Sequence, residues 1–265
     1  PISLEADAIL AALNVARPTG PILVLARNAG AVAADLAVHR DRIAFLRADA
    51  VGPAVRALAW GTASLFGVDR VRDLANWPLT AALPPSSTPF DPATTWTLVA
   101  GGDILLDRGV AKTVKLDGRG VDFPFDGGTA EITSRSCCSS FGWTVPRTKR
   151  TGNPGAIRHL LRTADLALAN FENPAPDRFA YHTSGTVFSA DPALIEGLAR
   201  AGIDWLSLAN NHIGDAGRAG IVQTRRNVER WGIAASGAGA NRAAAHGPAW
   251  LEAGGLRIAV FGYDT

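Results

Sequence analysis

Short apolar runs recur along the second half of the chain and are bounded by polar residues. Residues 96–100, 166–169, 205–209 and 256–263 each form such a run, which predicts buried strands. Amphipathic segments separate most of these runs. Strands that alternate with helices favour an α/β fold with a parallel or mixed sheet and helices on its faces.

Helix boundaries can be assigned from capping residues in this half of the chain. The pattern predicts a helix over residues 153–163, with Asn153 as its N-cap and a proline at the first position. Asp191 is placed to cap a second helix that ends at Gly202. A third helix is predicted over residues 221–231.

The first part of the chain has a similar alternation but no recognisable chemistry. Residues 1–83 predict a small α/β segment, with helices at 4–17, 54–60 and 68–77 and strands at 22–26 and 42–46. Residues 84–94 are rich in Pro, Ser and Thr, which is typical of an extended linker. We therefore expect a segment over 1–83, a linker over 84–94 and a second domain over 95–265.

Composition narrows the function classes. The chain has 265 residues, a net charge of +2 and 47% hydrophobic residues, which is typical of a globular protein and gives no electrostatic reason to expect a nucleic-acid partner. It contains no Met, and its last predicted strand stops two residues before the end. We therefore expect an internal fragment. No apolar window is long enough for a transmembrane span, and no signal peptide is visible.

Polar side chains follow three of the predicted strands. In an open α/β sheet, ligands bind at the carboxyl ends of the strands, so these side chains are expected to converge. Carboxylate, amide and imidazole groups together suit a divalent cation such as Mn²⁺, Fe²⁺ or Zn²⁺. The polar groups, in chain order, are Asp103, then Asn170 and Glu172, then Asn210, Asn211 and His212.

Each of these motifs alone has an ordinary structural interpretation. A Gly-Asp pair after a strand is commonly a turn, and Asn-Phe-Glu can cap a helix. Asn-Asn-His can be a loop histidine held by asparagine side chains. The ordered set of three strand ends is more specific than any one of them. His182 lies in a segment that is either a substrate-side loop or an ordinary surface loop.

Four stretches of this sequence resemble the bacterial capsule-synthesis CapA family, which acts in poly-γ-glutamate synthesis. They are Gly102-Asp103-Ile104-Leu105-Leu106, Asn170-Phe171-Glu172-Asn173-Pro174, residues 201–217 and residues 232–248. This family is similar to the calcineurin-like metallophosphoesterases, which implies a metallophosphatase-like layered sheet with flanking helices. The resemblance covers residues 95–265, while residues 1–83 loosely resemble the end of a periplasmic-binding-protein-like lobe.

The resemblance also implies site residues. His212 would act as general acid or transition-state stabiliser, and Asp215 would orient its ring. One or two divalent ions, Mn²⁺, Fe²⁺ or Zn²⁺, would be held by Asp103, Asn170, Glu172 and Asn211.

Two departures from the metallophosphoesterase pattern keep a second interpretation open. Leu105 stands where an Asp-x-His motif would supply an imidazole, and no Gly-His-x-His-like block occurs before the chain ends. A non-catalytic envelope scaffold or polymer-binding module on the same fold is therefore the alternative. A dinucleotide-binding site is weakly supported, because Arg242 stands at the third glycine position of the run that starts at Gly237.

The expected function is accordingly metal-dependent hydrolysis at a phosphoester-like centre in capsule or poly-γ-glutamate synthesis or export. The expected partners are an envelope polymer or phosphoester-like substrate and membrane proteins of capsule synthesis. The expected location is extracytoplasmic or at the cell envelope, with any anchor or signal outside this chain.

Overall fold

The computed structural model describes residues 2–17, 19, 28–52, 54–80, 87, 89–127, 130–136, 145–150, 152–182 and 185–264. The chain divides into two compact units, Pro1–Trp96 and Thr97–Thr265. The strand predicted at 22–26 lies outside the described residues, as do residues 84–86 and 88 of the predicted linker.

The described residues of the first unit form two α-helices and short turns of 3-10 helix. Its elements are α1 (Ile2–Ala12), α2 (Ala29–Val38) and 3-10 turns at Ala48–Ala50 and Leu74–Asn76. The helix α2 begins after Asn28, whose side-chain oxygen accepts a hydrogen bond from the N–H of Ala31 at 2.9 Å and so caps the first turn. An isolated bridge pairs Trp60 with Ala63.

Several predictions for this unit are wrong. Residues 42–46 form no strand within the described part of the chain, and Ile43 is 72% exposed, because no neighbouring strand pairs with this run. Residues 54–60 form no helix, and only Leu74–Asn76 is helical in the segment 68–77. The helix predicted over 4–17 ends at Ala12, and Asn14 then adopts a left-handed φ of 53°.

The second unit is built on a parallel sheet with helices packed against it, which confirms the predicted α/β class. The sheet has the order β1-β4-β5-β6, and each strand is parallel to its neighbour. Two antiparallel hairpins, β2-β3 and β7-β8, complete the described strands. The strands are β1 (Leu98–Ile104), β2 (Ala130–Ser136), β3 (Val145–Arg150), β4 (Leu166–Phe171), β5 (Trp205–Ser207), β6 (Ala234–Ser236), β7 (Ala249–Ala253) and β8 (Leu256–Val260).

Helices connect the strands of the parallel sheet. Asp191 accepts a hydrogen bond from the N–H of Ala193 at 2.9 Å, and Gly202 takes a left-handed φ of 93°, so both caps are where the sequence predicts them. The described helices are α3 (Arg108–Ala111), which continues as a π-helical turn over Lys112–Leu116, α4 (Phe123–Asp126), α5 (Ala156–Thr163), a 3-10 turn at Pro192–Leu194, α6 (Ile195–Ala201), α7 (Gly217–Glu229) and α8 (Arg242–His246).

The sheet was only partly predicted. The strand β6 has no counterpart among the predicted elements, because it contains only three residues of Ala and Ser and lacks a long apolar run. The hairpin β2-β3 lies in a segment rich in Gly, Ser, Thr and Arg that predicted an irregular excursion. Strands β4 and β5 match their predicted positions because their apolar runs are buried.

The core lies between the sheet and its helices. Phe171 in β4, Leu206 in β5 and Leu198 in α6 are fully buried. Burying a side chain of this size contributes about 1.5–3 kcal/mol. The same packing holds the carboxyl ends of β1, β4 and β5 in fixed register, which determines where the polar side chains beyond them lie.

Candidate functional site at the strand ends

The carboxyl ends of neighbouring strands bring the predicted polar groups together. Asp103 in β1 pairs with Asn170 in β4, and Asn170 pairs with Ser207 in β5. The register between β1 and β4 shifts between Ala100 and Asp103, so the strand is irregular just before the aspartate. Such irregularities are common next to active sites, where they redirect a side chain.

A single amide joins the two carboxylates of the site. The Nδ2 of Asn170 donates to Asp103 Oδ1 at 2.9 Å and to Glu172 Oε2 at 2.6 Å. Asp103 is exposed, whereas the Glu172 side chain is 19% exposed. One oxygen of each carboxylate therefore converges on the amide nitrogen of Asn170.

The buried Asn210 fixes the orientation of this amide. Its Nδ2 donates to the carbonyl of Phe171 at 2.8 Å and to Asn170 Oδ1 at 3.1 Å, and its own oxygen accepts the N–H of His212 at 3.0 Å. Because both ends of Asn210 are matched to backbone groups, it cannot be flipped without losing those bonds. Asn170 therefore directs its oxygen to Asn210 and its nitrogen to the carboxylates.

His212 is held beside these carboxylates by a partner of its own. Its Nδ1 lies 2.9 Å from Asp215 Oδ2, and its Nε2 lies 3.9 Å from Glu172 Oε1. The ring of Phe188 contacts the imidazole edge to face, with centroids 4.3 Å apart. The backbone N–H of Phe188 also donates to Asp215 at 2.8 Å. The ring is thus fixed in tautomer and direction.

The structure brings most of the predicted site residues into one hydrogen-bonded network. Asn211, by contrast, is exposed, and no hydrogen bond joins its side chain to the network within the described residues. The buried amide is Asn210, one position earlier. Its burial depends on its contacts with Asn170 and Phe171 of the neighbouring strand β4, which no local pattern of the sequence contains. The residues of the network are Asp103, Asn170, Glu172, Asn210, His212 and Asp215.

The donor set at the strand ends has the chemistry of a divalent-cation site. Asp103 and Glu172 supply the hard oxygen ligands that such ions prefer. Within the described parts of the chain, no group of three or more His, Cys, Asp or Glu side chains is close enough to hold a metal ion. Leu105, in the position of the missing imidazole, lines an open cleft of about 340 Å³ with Asp103, Leu106 and Phe125.

A second histidine–aspartate pair lies in the same unit. Asp107 is fully buried and accepts the backbone N–H groups of Arg108, His182 and Ser189 at 2.7 to 3.0 Å. His182 Nδ1 lies 2.8 Å from its Oδ2. Burial by itself raises the pKa of Asp107, but these hydrogen bonds outweigh burial and lower the pKa below its ordinary value. Asp107 is therefore an ionised group inside the fold.

Only a weak sequence signal indicates Asp107. For His182 the sequence predicts a position in a loop but no partner. An Asp directly before a helix ordinarily marks an N-cap, which is one of the roles Asp107 has here. Its contacts with His182 and Ser189 span 75 and 82 residues, so no local pattern could indicate them.

An open cleft of about 770 Å³ lies beside both pairs. His182, Ser189 and Asp215 line it together with the apolar side chains of Phe179 and Phe188. The volume is in the range of small-molecule sites, which combine apolar walls with a few polar groups.

The fold and the site together define an α/β protein with a carboxylate, amide and imidazole centre at the carboxyl ends of its parallel strands. A family model described as "Bacterial capsule synthesis protein PGA_cap" matches residues 97–265, and the chain belongs to this family. The match covers the whole of the second unit, and it ties the chain to capsule synthesis and hence to the cell envelope. A search of curated proteins finds no match to the chain. Within the described residues, no helix has the length and apolar character needed to cross a membrane.

Proposed function

We propose that this protein acts in capsule synthesis as a metal-dependent hydrolase of a phosphoester-like bond. The family supports the link to capsule synthesis. One observation carries the chemistry: His212, oriented by Asp215, faces Glu172, which shares the amide of Asn170 with Asp103. An imidazole with a fixed tautomer beside paired carboxylates is an arrangement suited to hydrolysis.

Asp103 and Glu172 are the side chains that would hold the cation. A divalent ion bound there would supply activation of a water molecule and neutralisation of the charge that develops on the phosphoryl oxygens. The resemblance adds Asn170 and Asn211 as further ligands. In the present geometry Asn170 offers its nitrogen to the carboxylates, so its direct role is to keep Asp103 and Glu172 close together despite their like charge.

His212 handles the proton. Its Nδ1 is committed to Asp215, so Nε2 is the nitrogen that, in the imidazolium form, can donate a proton or a hydrogen bond to a phosphoryl or leaving-group oxygen. Asp215 in turn stabilises the imidazolium form and prevents rotation of the ring. Phe188 covers one side of the imidazole and limits the access of water to it.

The proposed substrate is a phosphoester-like group of an envelope polymer, and poly-γ-glutamate synthesis or export is the process that the resemblance suggests. The proposed setting is extracytoplasmic, with membrane proteins of capsule synthesis as partners.

Hydrolysis of bis(4-nitrophenyl) phosphate and 4-nitrophenyl phosphate tests this function. The chain is stripped of metal and assayed after separate addition of Mn²⁺, Fe²⁺ and Zn²⁺. We expect activity that depends on the metal and falls by roughly 10²–10⁴ in H212Q, the range for loss of a general acid. H246Q is the matched control, because His246 is exposed and contacts Tyr263 instead. Activity without metal, or an active H212Q variant, would contradict the proposal.

A second candidate is a non-catalytic polymer-binding module. Leu105 favours it, because this apolar side chain lies beside Asp103 where an imidazole ligand would stand in a metallophosphoesterase. Under this alternative neither ester is hydrolysed with any of the three metals, while the chain still binds an anionic polymer. The same assay therefore separates the two functions.

A further inference from the structure

The two histidine–aspartate pairs are joined by consecutive backbone amides. The N–H of Phe188 donates to Asp215 at 2.8 Å, and the N–H of the next residue, Ser189, donates to Asp107 at 3.0 Å. One short segment thus fixes both carboxylates. His182 and Asp215 both line the cleft, so the two pairs stand at one ligand-sized space.

His182 has one ring nitrogen available for a ligand. Its Nδ1 is occupied by Asp107, and its side chain is 29% exposed and lines the cleft. With Nδ1 held by a buried carboxylate, Nε2 is the atom with which the ring, in its imidazolium form, can donate to an oxygen in the cleft. Asp215 occupies Nδ1 of His212 in the same way, which leaves Nε2 of that ring available.

The charges around the cleft favour an anionic group. The acidic side chains that line it are already engaged: Asp177 accepts from Arg226 and Asn227, and Asp215 accepts from His212. Arg178 also lines the cleft and is exposed. A ligand therefore meets a guanidinium and an imidazole, while the carboxylates are compensated.

The apolar walls of the cleft favour a ligand that carries an organic group in addition to its anionic group. Phe179, Val187 and Phe188 supply apolar surface, and Phe179 and Val187 are 37% and 51% exposed. Exposed apolar side chains grouped at a concave surface are typical of ligand sites. An inorganic anion would leave this surface uncovered.

We propose that the cleft is a binding subsite for the organic part of a phosphorylated substrate, with Phe179 against its apolar body and His182 on an anionic oxygen. The choice of a phosphorylated ligand rests on the proposed function. The assignment of His182 and Phe179 as contacts rests on the cleft itself and extends the site beyond the strand ends.

Binding of phosphonates to the full chain tests this subsite without any chemical step. Phenylphosphonate and methylphosphonate are titrated by calorimetry in the presence of EDTA, so that a metal cannot hold the anion. We expect phenylphosphonate to bind more tightly than methylphosphonate. H182Q should weaken the binding of phenylphosphonate about tenfold, as loss of a charged hydrogen bond does. F179A should weaken the binding of phenylphosphonate and leave that of methylphosphonate unchanged, and H246Q should change the binding of neither.

The outcomes separate this inference from the proposed function. Equal binding of the two phosphonates, or binding indifferent to both H182Q and F179A, would overturn the subsite even if metal-dependent, His212-dependent hydrolysis is found. Conversely, the expected pattern of phosphonate binding in a chain that hydrolyses neither nitrophenyl ester would uphold the subsite and refute the hydrolase.

Discussion

Two histidine–aspartate pairs near one cleft have almost the same hydrogen bond but very different surroundings. Nδ1 of His212 lies 2.9 Å from Asp215, and Nδ1 of His182 lies 2.8 Å from Asp107. Asp107 is fully buried and accepts three backbone N–H groups, whereas Asp215 is 17% exposed and accepts the backbone N–H of Phe188.

The difference in burial of the two carboxylates predicts a difference in what each pair contributes. Asp107 connects the start of α3 with the segment around Ser189, so it stabilises the fold and only secondarily orients His182. Asp215 has few structural contacts, so its main effect is on the direction of His212. The same two residue types thus serve the fold at one pair and the proposed chemistry at the other.

The largest expected effect is on stability at the buried pair. D107A leaves the N–H groups of Arg108, His182 and Ser189 without their acceptor, and we expect it to lower the free energy of unfolding by about 4 kcal/mol. D215A should lower it by only about 1–2 kcal/mol. Urea unfolding of the full chain measures both. Equal losses would show that burial does not distinguish the pairs.

The next largest expected effect is a difference in stability between substitutions of the adjacent residues Asn210 and Asn211. N210A removes an amide with hydrogen bonds to Asn170, Phe171 and His212 and should lower the free energy of unfolding by about 2–3 kcal/mol. N211A should stay within about 0.5 kcal/mol of the parent chain, because its side chain is exposed. If Asn211 binds the cation, N211A weakens Mn²⁺ binding in a calorimetric titration without this loss of stability. A destabilised N211A would contradict the assignment.

The pH dependence of stability gives a smaller effect with a definite sign. The folded-state pKa of Asp107 lies below its ordinary value of 3.8, so the ionised carboxylate stabilises the fold above about pH 4, and this contribution is lost as the pH falls through the folded value. The stability difference between the parent chain and D107N should therefore shrink on acidification. Unfolding free energies between pH 6 and about 2.5 measure it.

Asp204 serves as a matched control, because the shift in its pKa predicts a pH dependence of stability opposite to that of Asp107. Burial raises its pKa, although the N–H of Ala167 partly offsets this, so its protonated form stabilises the fold and the contribution is lost as the pH rises through the folded value. The free energy of unfolding of D204N should therefore rise relative to that of the parent chain as the pH increases. Parallel pH profiles for D107N and D204N would contradict both assignments.

The smallest expected effect concerns Arg108, whose guanidinium lies 4.4 Å from the ring centroid of Phe188. Arg108 has a left-handed φ of 54°, which costs about 1 kcal/mol in a residue other than Gly. R108G relieves this strain but loses a cation–π contact of about 0.5–2 kcal/mol and an exposed hydrogen bond to the carbonyl of Gly185, so stability should change by about 1 kcal/mol. Hydrolysis should fall because Phe188 no longer holds His212 as firmly. A variant with unchanged hydrolysis would show that Arg108 does not act on the site.

Part of the fold of the second unit could be predicted, because the signals for that part are local. Apolar runs located β4 and β5, and Asp191 and Gly202 located a helix through its caps. The strand β6 was missed because three small residues become a strand only by pairing with β5. Such pairing is a tertiary effect that a local pattern does not contain.

The candidate site likewise has a part that the sequence predicts and a part that depends on tertiary packing. The convergence of Asp103, Asn170 and Glu172 follows from strand order and register. The pairing of Asp107 with His182 does not, because it joins residues 75 positions apart through a loop. The direction of the Asn170 amide likewise depends on Asn210, whose burial only the packed structure reveals.

A crystal structure of the chain grown with Mn²⁺, analysed by anomalous scattering at the manganese edge, tests the central claim most directly. The account predicts an anomalous peak bound by Asp103 and Glu172 beside His212. Its loss in a D103N/E172Q variant would confirm these ligands. A metal-saturated crystal with no peak at these carboxylates, or with manganese bound elsewhere in the second unit, would contradict a metal-dependent site at the strand ends.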